Sequence, residues 1–192
     1  MTRRAGLDKE SVVRAAAELA DAEGLEARTI ASLAARLGVR PPSLYNHTGG
    51  LDDLRRSVAL LGLRELHAAL QAAAVGRAGE AAVAAIAEAQ RAYAHAHPAR
   101  YALTVRAPSP DDHEHAALAE ALLALLLQVL EPFQLSRADA LHAIRGLRAV
   151  VHGFVMLEAA GGFGMPLDRD ESFRRLLLAF LRGLAQSPPK VA

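Results

Sequence analysis

Apolar residues near the start of the chain recur at helical spacing. Val12, Ala16 and Leu19 fall at i, i+4 and i+7, which predicts an amphipathic helix over about residues 9–23. Asp8 precedes this segment as a predicted N-cap, because a carboxylate accepts hydrogen bonds from the free N–H groups of a first turn. A glycine follows the segment and predicts its end.

Two shorter helices follow. Thr29 is a predicted N-cap for a helix through Leu37, which Gly38 ends. The next predicted helix spans about residues 41–47 and begins with two prolines. Proline suits a first helical turn because the N–H groups there have no partner within the helix. The glycine pair at residues 49–50 then breaks the chain.

The remaining pattern is helical throughout, without strand alternation or internal repeats. It predicts an all-α fold, with an N-terminal three-helix helix-turn-helix module and a larger helical body. We place the DNA-binding domain at residues 1–55 and the ligand-binding and dimerisation domain at residues 56–192. The further predicted helices span about residues 51–75, 78–96, 98 onward, 113–130, 137–160 and 170–186.

The composition favours helices over sheets. Hydrophobic residues make up 52% of the 192-residue chain and aromatic residues only 4%, and both Trp and Cys are absent. The core must then be mostly Leu, Ala and Val. A chain without Cys has no disulfide framework and no thiolate nucleophile. Because the N-terminal residues also lack the apolar core of a signal peptide, we expect a cytoplasmic protein.

The most apolar run is LAEALLALLLQVLEPF, residues 118–133. Glu120 and Gln128 interrupt it and Pro132 ends it, so it falls short of the ~20 apolar residues that a membrane span needs. We interpret it as a buried helix and expect no membrane partner.

The distribution of charge says more than its total. The net charge is only +1, yet residues 27–51 contain no Asp or Glu. Arg28, Arg36, Arg40 and His47 lie in this window, and the N-terminal segment contributes Arg3 and Arg4 as well. A surface without carboxylates is suited to a polyanionic partner.

Three short helices with a glycine turn between the second and third are typical of a helix-turn-helix, whose later helix enters the DNA major groove. Leu44 is predicted to face inward, with Arg40, Ser43 and Asn46 able to reach base edges. Thr29, Tyr45 and His47 could hydrogen-bond phosphates. A plain helical hairpin without DNA binding has the same pattern.

The segment TIASLAARLGVRPPSLYNHTGGLDDLRRSV closely resembles the N-terminal DNA-binding domain of TetR-like transcriptional regulators. The shared elements are a Thr-started helix, a Leu-Gly-Val turn, a Pro-fronted helix ending in Leu-Tyr-x-His, and an acidic start to the fourth helix. The resemblance implies a homodimeric, ligand-responsive regulator, usually a repressor, that binds an operator in double-stranded DNA. The predicted DNA-binding residues are Thr29, Arg40, Pro41, Ser43, Tyr45, Asn46, His47 and Thr48.

Three positions depart from the family pattern. Thr48 stands where the family usually has an aromatic residue, and Leu51 stands where a phosphate-contacting Lys is frequent. Arg40 replaces a frequent capping Ser and could supply the charge lost at Leu51.

The second half resembles the C-terminal domain of a TetR-like subgroup named for a Trp-His-Gly motif. The matching stretches are AYAHAHPARYALTV and VVHGFVMLEAAGGF, with Val151 in place of the Trp. The resemblance implies a helical body with an internal small-molecule cavity, and a homodimer interface made by the last two long helices.

Polar groups on apolar helices are candidates for binding the effector, because ligand pockets combine apolar walls with a few polar groups. Each could equally be a surface residue or a satisfied core residue. The predicted pocket residues are His95, Tyr101, Val105, His142, Arg145, His152 and Met156.

Two features of the last long helices suggest dimerisation. Gly146 and Gly153 share a helix face and would permit close approach of another helix, although they could also line a cavity. The last helix carries an apolar stripe, namely Phe173, Leu177, Phe180 and Leu184. A four-helix bundle across a two-fold axis would follow, and with it a palindromic operator.

Two other classes of function stay open. His95-x-His97 and the DDHEH segment, residues 111–115, contain ligand types suited to zinc or nickel, which would make a metal-responsive regulator. A helical enzyme is the other alternative, although no Gly-rich phosphate loop, nucleophile elbow or His-Glu-x-x-His motif is present. We expect no enzymatic activity, no cofactor and no metal.

Overall fold

The computed structural model describes residues 7–24 and 29–185, and every regular element in these residues is helical. The all-α prediction is confirmed, and most helix ends lie within one residue of their predicted positions. A short 3-10 turn, Glu131–Phe133, follows the seventh helix. The helices are α1 (Lys9–Glu23), α2 (Ile30–Leu37), α3 (Pro41–Tyr45), α4 (Leu51–Ala74), α5 (Gly79–Ala96), α6 (Pro98–Thr104), α7 (His113–Leu130), α8 (Arg137–Ala159) and α9 (Arg169–Ala185).

Reciprocal side-chain caps begin α1 and α2. The Ser11 N–H donates to Asp8 Oδ1 at 2.7 Å, and the Ser32 N–H donates to Thr29 Oγ1 at 3.0 Å. In both helices the serine hydroxyl also accepts from the N–H of the capping residue. The caps satisfy N–H groups that the helix leaves free, so the sequence fixes both starting points locally.

A left-handed glycine sets the turn between α2 and α3. Gly38 has φ 66° and ψ 30°, and the next N–H, that of Val39, donates to Ala34 O at 3.0 Å. Residues with a Cβ rarely adopt this conformation, which explains the glycine.

Helix α3 is shorter than predicted. It ends at Tyr45 instead of residue 47, because the N–H groups of both His47 and Thr48 donate to the single carbonyl of Leu44. The backbone then turns into the glycine pair.

The chain divides into two compact units. The first consists of Met1–Glu65 and Ala96–Leu118, and the second of Leu66–His95 and Ala119–Ala192. Both α4 and α7 begin in the first unit and end in the second. The functional division at residue 55 stays a prediction.

The core of the first unit joins α1 to α4. Val12, Leu33, Leu44 and Val58 are each at most 1% exposed and belong to one apolar cluster, on which Leu103 packs. The three helix-turn-helix elements therefore rest on the first half of α4.

A buried charge network fastens α6 within the first unit. Arg100 Nε donates to Asp21 Oδ2 at 2.7 Å, and Arg100 Nη1 donates to Glu65 Oε2 at 2.7 Å. Asp21 Oδ1 also accepts the N–H groups of Ala99 and Arg100, at 3.0 and 3.1 Å. One carboxylate on α1 thus caps α6 and pairs with its arginine.

Close packing of α4 against α6 depends on Gly62. A Cβ at this position would lie 3.2 Å from the Arg100 carbonyl oxygen and 3.2 Å from Thr104 Cγ2. The contacts include backbone, which cannot rotate away.

The second unit has its core between α5, α8 and α9. Its least exposed large side chains include Ile86 on α5, Val151 on α8 and Phe173 on α9. Val151, which replaces the Trp of the subgroup motif, is completely buried.

The prediction that α7 is a buried helix is wrong. Between His113 and Phe133 only His115 and Leu130 are buried, and most of the leucines are half-exposed. The apolar residues of α7 itself lie on all sides of the helix, whereas neighbouring helices cover only part of its surface. By length and composition alone, this run and α8 could each cross a membrane.

We expect Gly62→Val to destabilise the protein by about 3 kcal/mol, because the added atoms meet the α6 backbone. Thermal and denaturant unfolding measure the change. Gly183→Val is the matched control, since a Cβ at this α9 glycine would meet nothing within 4 Å. Equal effects of the two substitutions would contradict the close α4–α6 contact.

Candidate nucleic-acid interface and effector-binding body

The outward surface of α3 contains most of the predicted DNA-contacting side chains. Arg40, Pro41 and Asn46 are exposed, and Tyr45 is 59% exposed. Ser43 and His47 are half-buried at its edge. Leu44 is fully buried beneath them, as predicted, so the polar face is anchored by one apolar side chain.

The burial of Thr48 departs from its prediction as a DNA-binding residue. Its side chain is only 5% exposed, and its hydroxyl donates to the Leu44 carbonyl at 3.3 Å. Thr48 therefore stabilises the end of α3 from inside the module and does not present its hydroxyl on the outer surface.

Thr29 is an exposed residue at the start of α2, but its hydroxyl already caps that helix. The Thr29 O–H also donates to Ser32 Oγ at 3.2 Å, so a phosphate contact would compete with this bond. The basic residues Arg3, Arg4 and Arg28 lie outside the described residues.

Carboxylates at the border of this surface have basic or backbone partners. Glu18 lies 3.4 Å from Arg36, and Asp53 lies 3.9 Å from Lys9 while accepting the Gly49 N–H at 3.0 Å. Arg40 has no ion pair within the part of the chain that the structure describes. Its charge is therefore available to an external anion.

Asp8 lies near the same surface and stays ionised. The Ser11 N–H, which donates to the carboxylate, is the main cause that lowers the pKa of Asp8, and the nearby His47 adds a smaller effect. This carboxylate is committed to the cap of α1.

The predicted pocket residues lie in several places. Tyr101 and Val105 belong to the first unit, where Tyr101 is buried at 3% exposure and Val105 is half-buried at the end of α6. His95 belongs to the second unit, and its ring Nε2 lies 2.9 Å from Glu158 Oε2. The structure therefore places these three predicted pocket residues in two different units.

The α8 face predicted to bind the effector is mostly exposed in the single chain. His142 and Arg145 are exposed, Met156 is 47% exposed, and His152 is half-buried.

A buried ion-pair cluster in the second unit was missed in the sequence. Arg91 Nε and Nη2 donate to the two carboxylate oxygens of Glu158 at 2.9 and 2.6 Å, and Arg91 also lies 2.7 Å from Asp170. The Arg91 guanidinium lies 5.4 and 4.8 Å from the ring centres of Phe154 and Phe173. The one sequence signal for this cluster was Arg91 itself, an arginine within the mostly apolar α5. Its partner Glu158 lies 67 residues further along the chain.

This cluster ties α5 to α8 and α9. The hydrogen bonds from Arg91 are the main cause that lowers the pKa of Glu158, and they outweigh burial, which acts in the opposite direction. The aromatic rings shield the pair from water and add cation–π attraction.

The contact between α8 and α9 bears on the prediction that Gly146 and Gly153 permit close approach of another helix. A Cβ at Gly146 would lie 3.1 Å from Phe180 of the same chain, whereas one at Gly153 would meet nothing. Gly146 therefore serves α8–α9 packing within the chain. Most of the predicted α9 stripe is also internal, since Phe173 and Leu177 are at most 3% exposed.

Other apolar side chains on these helices are exposed. Met156 and Leu157 on α8 are 47% and 49% exposed, and Leu178 on α9 is 36% exposed. In the α8–α9 connection, Met165 and Leu167 are more than 70% exposed, at 75% and 73%. Large exposed apolar side chains in neighbouring elements are candidates for an interface.

The second unit also contains an open cleft of about 480 Å³ at the ends of α4 and α7. Gln71, Arg77, Gln128 and Glu131 are its polar lining residues. None of the predicted pocket residues lines it.

No three His, Cys, Asp or Glu side chains among the described residues are grouped as a metal site would require. His95 contacts Glu158, and His97 Nδ1 lies 3.3 Å from Asp21 Oδ2. The two histidines therefore have different carboxylate partners.

The exposed polar face of α3, held on a capped α2 by a left-handed glycine, defines the first unit as a helix-turn-helix module. Residues 83–180 match the family described as tetracyclin repressor-like, C-terminal domain. The chain is 37% identical to an uncharacterized HTH-type transcriptional regulator of Mycobacterium tuberculosis, over 96% of this chain and 84% of the relative. It is 35% identical to another such regulator, YobS of Bacillus subtilis, over 96% of each chain.

The fold extends to solved structures. A protein of unknown function from Rhodococcus sp. RHA1 superposes with a TM-score of 0.81 at 25% identity, covering 97% of this chain and all of the other. The chain belongs to the TetR-like family of transcriptional regulators. The Mycobacterium tuberculosis and Bacillus subtilis relatives are named as transcriptional regulators, which is a non-enzymatic role, and the family binds DNA and ligands.

We expect Glu158→Gln to lower the free energy of unfolding by about 2 kcal/mol near neutral pH, because it leaves the buried Arg91 charge poorly compensated. The pKa of Glu158 in the folded state lies below its usual 4.5, so its contribution is complete above about pH 4.5 and is lost as the pH falls through the folded-state value. The difference from wild type should therefore shrink at about pH 3.

Chemical denaturation at both pH values measures this, with Glu120→Gln as the exposed control on α7. A difference that stays constant down to the acidic pH would contradict the buried ion pair.

Proposed function

We propose that the protein is a repressor that binds a palindromic operator as a homodimer and is released from DNA by a small molecule. The observation that carries the proposal is the exposed, carboxylate-free face of α3 above the buried Leu44. A short helix of this kind fits the major groove, which admits an α-helix and displays the base edges.

The side chains on this face divide into two roles. Asn46 and Arg40 are exposed and can form bidentate hydrogen bonds to adenine and guanine edges, respectively, with Ser43 beside them. Tyr45, His47 and the Thr29 hydroxyl are suited to phosphates, which fix the position of the module without reading sequence. Pro41 shapes the start of the helix. Thr48 supports the same helix from inside.

The exposed apolar side chains of α8 and α9 support the homodimer. Met156, Leu157 and Leu178 would be covered by the same residues of a second chain in a four-helix bundle. A two-fold dimer presents two α3 helices, which match half-sites about 34–36 Å apart on one side of the duplex.

The proposed switch uses α4, which starts beside the recognition helix and ends in the second unit. An effector bound in the C-terminal body, in contact with residues such as His95 and His152, would shift α4 and change the spacing of the two α3 helices. It does so only if it binds the two conformations with different affinity. A regulator of this kind works in the cytoplasm.

The test of this function is selection of DNA fragments by the purified chain at two salt concentrations, after light scattering has measured the mass in solution. We expect a dimer that enriches one short palindrome, with an affinity that falls steeply as salt rises because bound phosphates release counterions. A monomer, or binding without sequence preference, would refute the proposal.

The two side-chain roles predict different defects. Tyr45→Phe should weaken binding several-fold and to a similar extent on every sequence, since a phosphate contact carries no base information. Asn46→Ala should relax the preference at one base position in each half-site, at a cost of about 1–3 kcal/mol for the preferred base.

Binding to a library of operator variants measures both effects, and each variant serves as the control for the other. A sequence-selective loss in Tyr45→Phe, or an unchanged preference in Asn46→Ala, would contradict the assigned role.

A further inference from the structure

A second cleft lies within the first unit, between the start of α4, the end of α6 and the start of α7. Its volume is about 460 Å³, which is within the 300–1,000 Å³ range of small-molecule sites. Ala59 and Leu103 give it apolar walls, and it is lined by three arginines, two aspartates and His115. None of the DNA-contacting or predicted pocket residues belongs to it.

Two of the three arginines already have carboxylate partners. Arg56 Nε and Nη2 each donate to an oxygen of Asp112 at 2.6 Å, and Arg56 also lies 3.3 Å from Glu114. Arg56 lowers the pKa of Asp112 to about 2, so this pair remains ionised in the folded protein. Arg55 lies 3.5 Å from Asp52, in an exposed pair.

The third arginine of the cleft, Arg106, is not paired with a carboxylate of the cleft. Arg106 has no hydrogen bond or ion pair within residues 7–24 and 29–185, and it lies exposed at the mouth of the cleft. With both aspartates matched to Arg55 and Arg56, the cleft has one surplus positive charge. One anionic group would neutralise it.

The His115 side chain is the second candidate ligand group, because it has an electrostatic interaction with Asp112 but no hydrogen-bond partner among the described residues. It is only 9% exposed and lines the cleft. Its backbone N–H donates to Asp112 at 3.0 Å, but its imidazole has no hydrogen bond in the part of the chain that the structure describes. A buried polar side chain without a partner costs free energy, and a ligand oxygen would supply the partner.

We propose that this cleft binds a small molecule with a single carboxylate and an apolar body. The carboxylate pairs with the Arg106 guanidinium and accepts a hydrogen bond from the His115 imidazole. The apolar body packs on Leu103 and Ala59. A dianion such as inorganic phosphate fits less well, because the cleft offers only one surplus charge and has an apolar wall.

This site adjoins the DNA-binding module through α4. Asp52 and Arg55 lie in the first turns of α4, and α4 is the next helix after α3 in the chain. A bound carboxylate that bridges α4, α6 and α7 would favour one position of α4 and so change operator affinity. This regulatory consequence rests on the proposed function, whereas binding itself does not.

The probe is octanoate, with octanamide as its uncharged counterpart and inorganic phosphate as an anion without an apolar body. Isothermal titration calorimetry measures binding to the full chain in the absence of DNA. We expect octanoate to bind and to lose affinity by about tenfold or more in Arg106→Gln, because a hydrogen bond to a charged group is removed. Arg137→Gln, at an exposed arginine on α8, should bind as wild type does.

A second variant tests the buried partner. His115→Leu keeps the apolar volume and removes the imidazole donor, and thermal unfolding verifies that it is folded. We expect its octanoate affinity to fall several-fold.

Three results would overturn the proposal. They are no octanoate binding by the wild-type chain, equal affinity for octanoate and octanamide or phosphate, and equal losses in Arg106→Gln and Arg137→Gln. Because the titration contains no DNA, its failure leaves the regulator function untouched. Failure to select an operator would likewise leave the binding result standing.

Discussion

The buried contact of Arg100 with Asp21 and Glu65 is the constraint on which the first unit depends. It joins α6 to α1 and α4. The same Asp21 carboxylate also accepts hydrogen bonds from the N–H groups of Ala99 and Arg100 at the start of α6. Burying these charges is tolerable only because each has partners of good geometry, and the loss of Arg100 would remove the arginine partner of both carboxylates. The network therefore specifies where α6 lies on the DNA-binding module more strongly than apolar packing alone would.

Two functional features rest on this placement. Gly62 allows α4 to approach the α6 backbone, so a movement of either helix must be accommodated by the other. The cleft that contains Arg106 and His115 is formed by these helices together with the start of α7. The recognition helix is held on the same module by Leu44 and the Gly38 turn. Under the proposed function, a ligand bound beside α4 would act on the helix that follows α3, the proposed DNA-reading element.

Most of the fold could be predicted because its determinants are local. The caps at Asp8 and Thr29, the turn at Gly38 and the apolar spacing each act within a few residues, and the structure shows them as expected. The charge networks could not be predicted, because Arg91 and Arg100 meet partners many residues away in the chain. Exposure was also misjudged where it depends on packing. Helix α7 remains half-uncovered, Thr48 turns inward, and Phe173 packs inside its own unit.

Amide hydrogen exchange with and without the selected operator tests the central claim that α3 reads DNA. The account predicts new protection at the N–H groups of residues 43–47 when operator binds. It also predicts slow exchange, with and without operator, at Ala99 and Arg100, whose N–H groups donate hydrogen bonds to Asp21. Protection that appears on other surfaces and leaves residues 43–47 unchanged would contradict the assignment of the recognition helix.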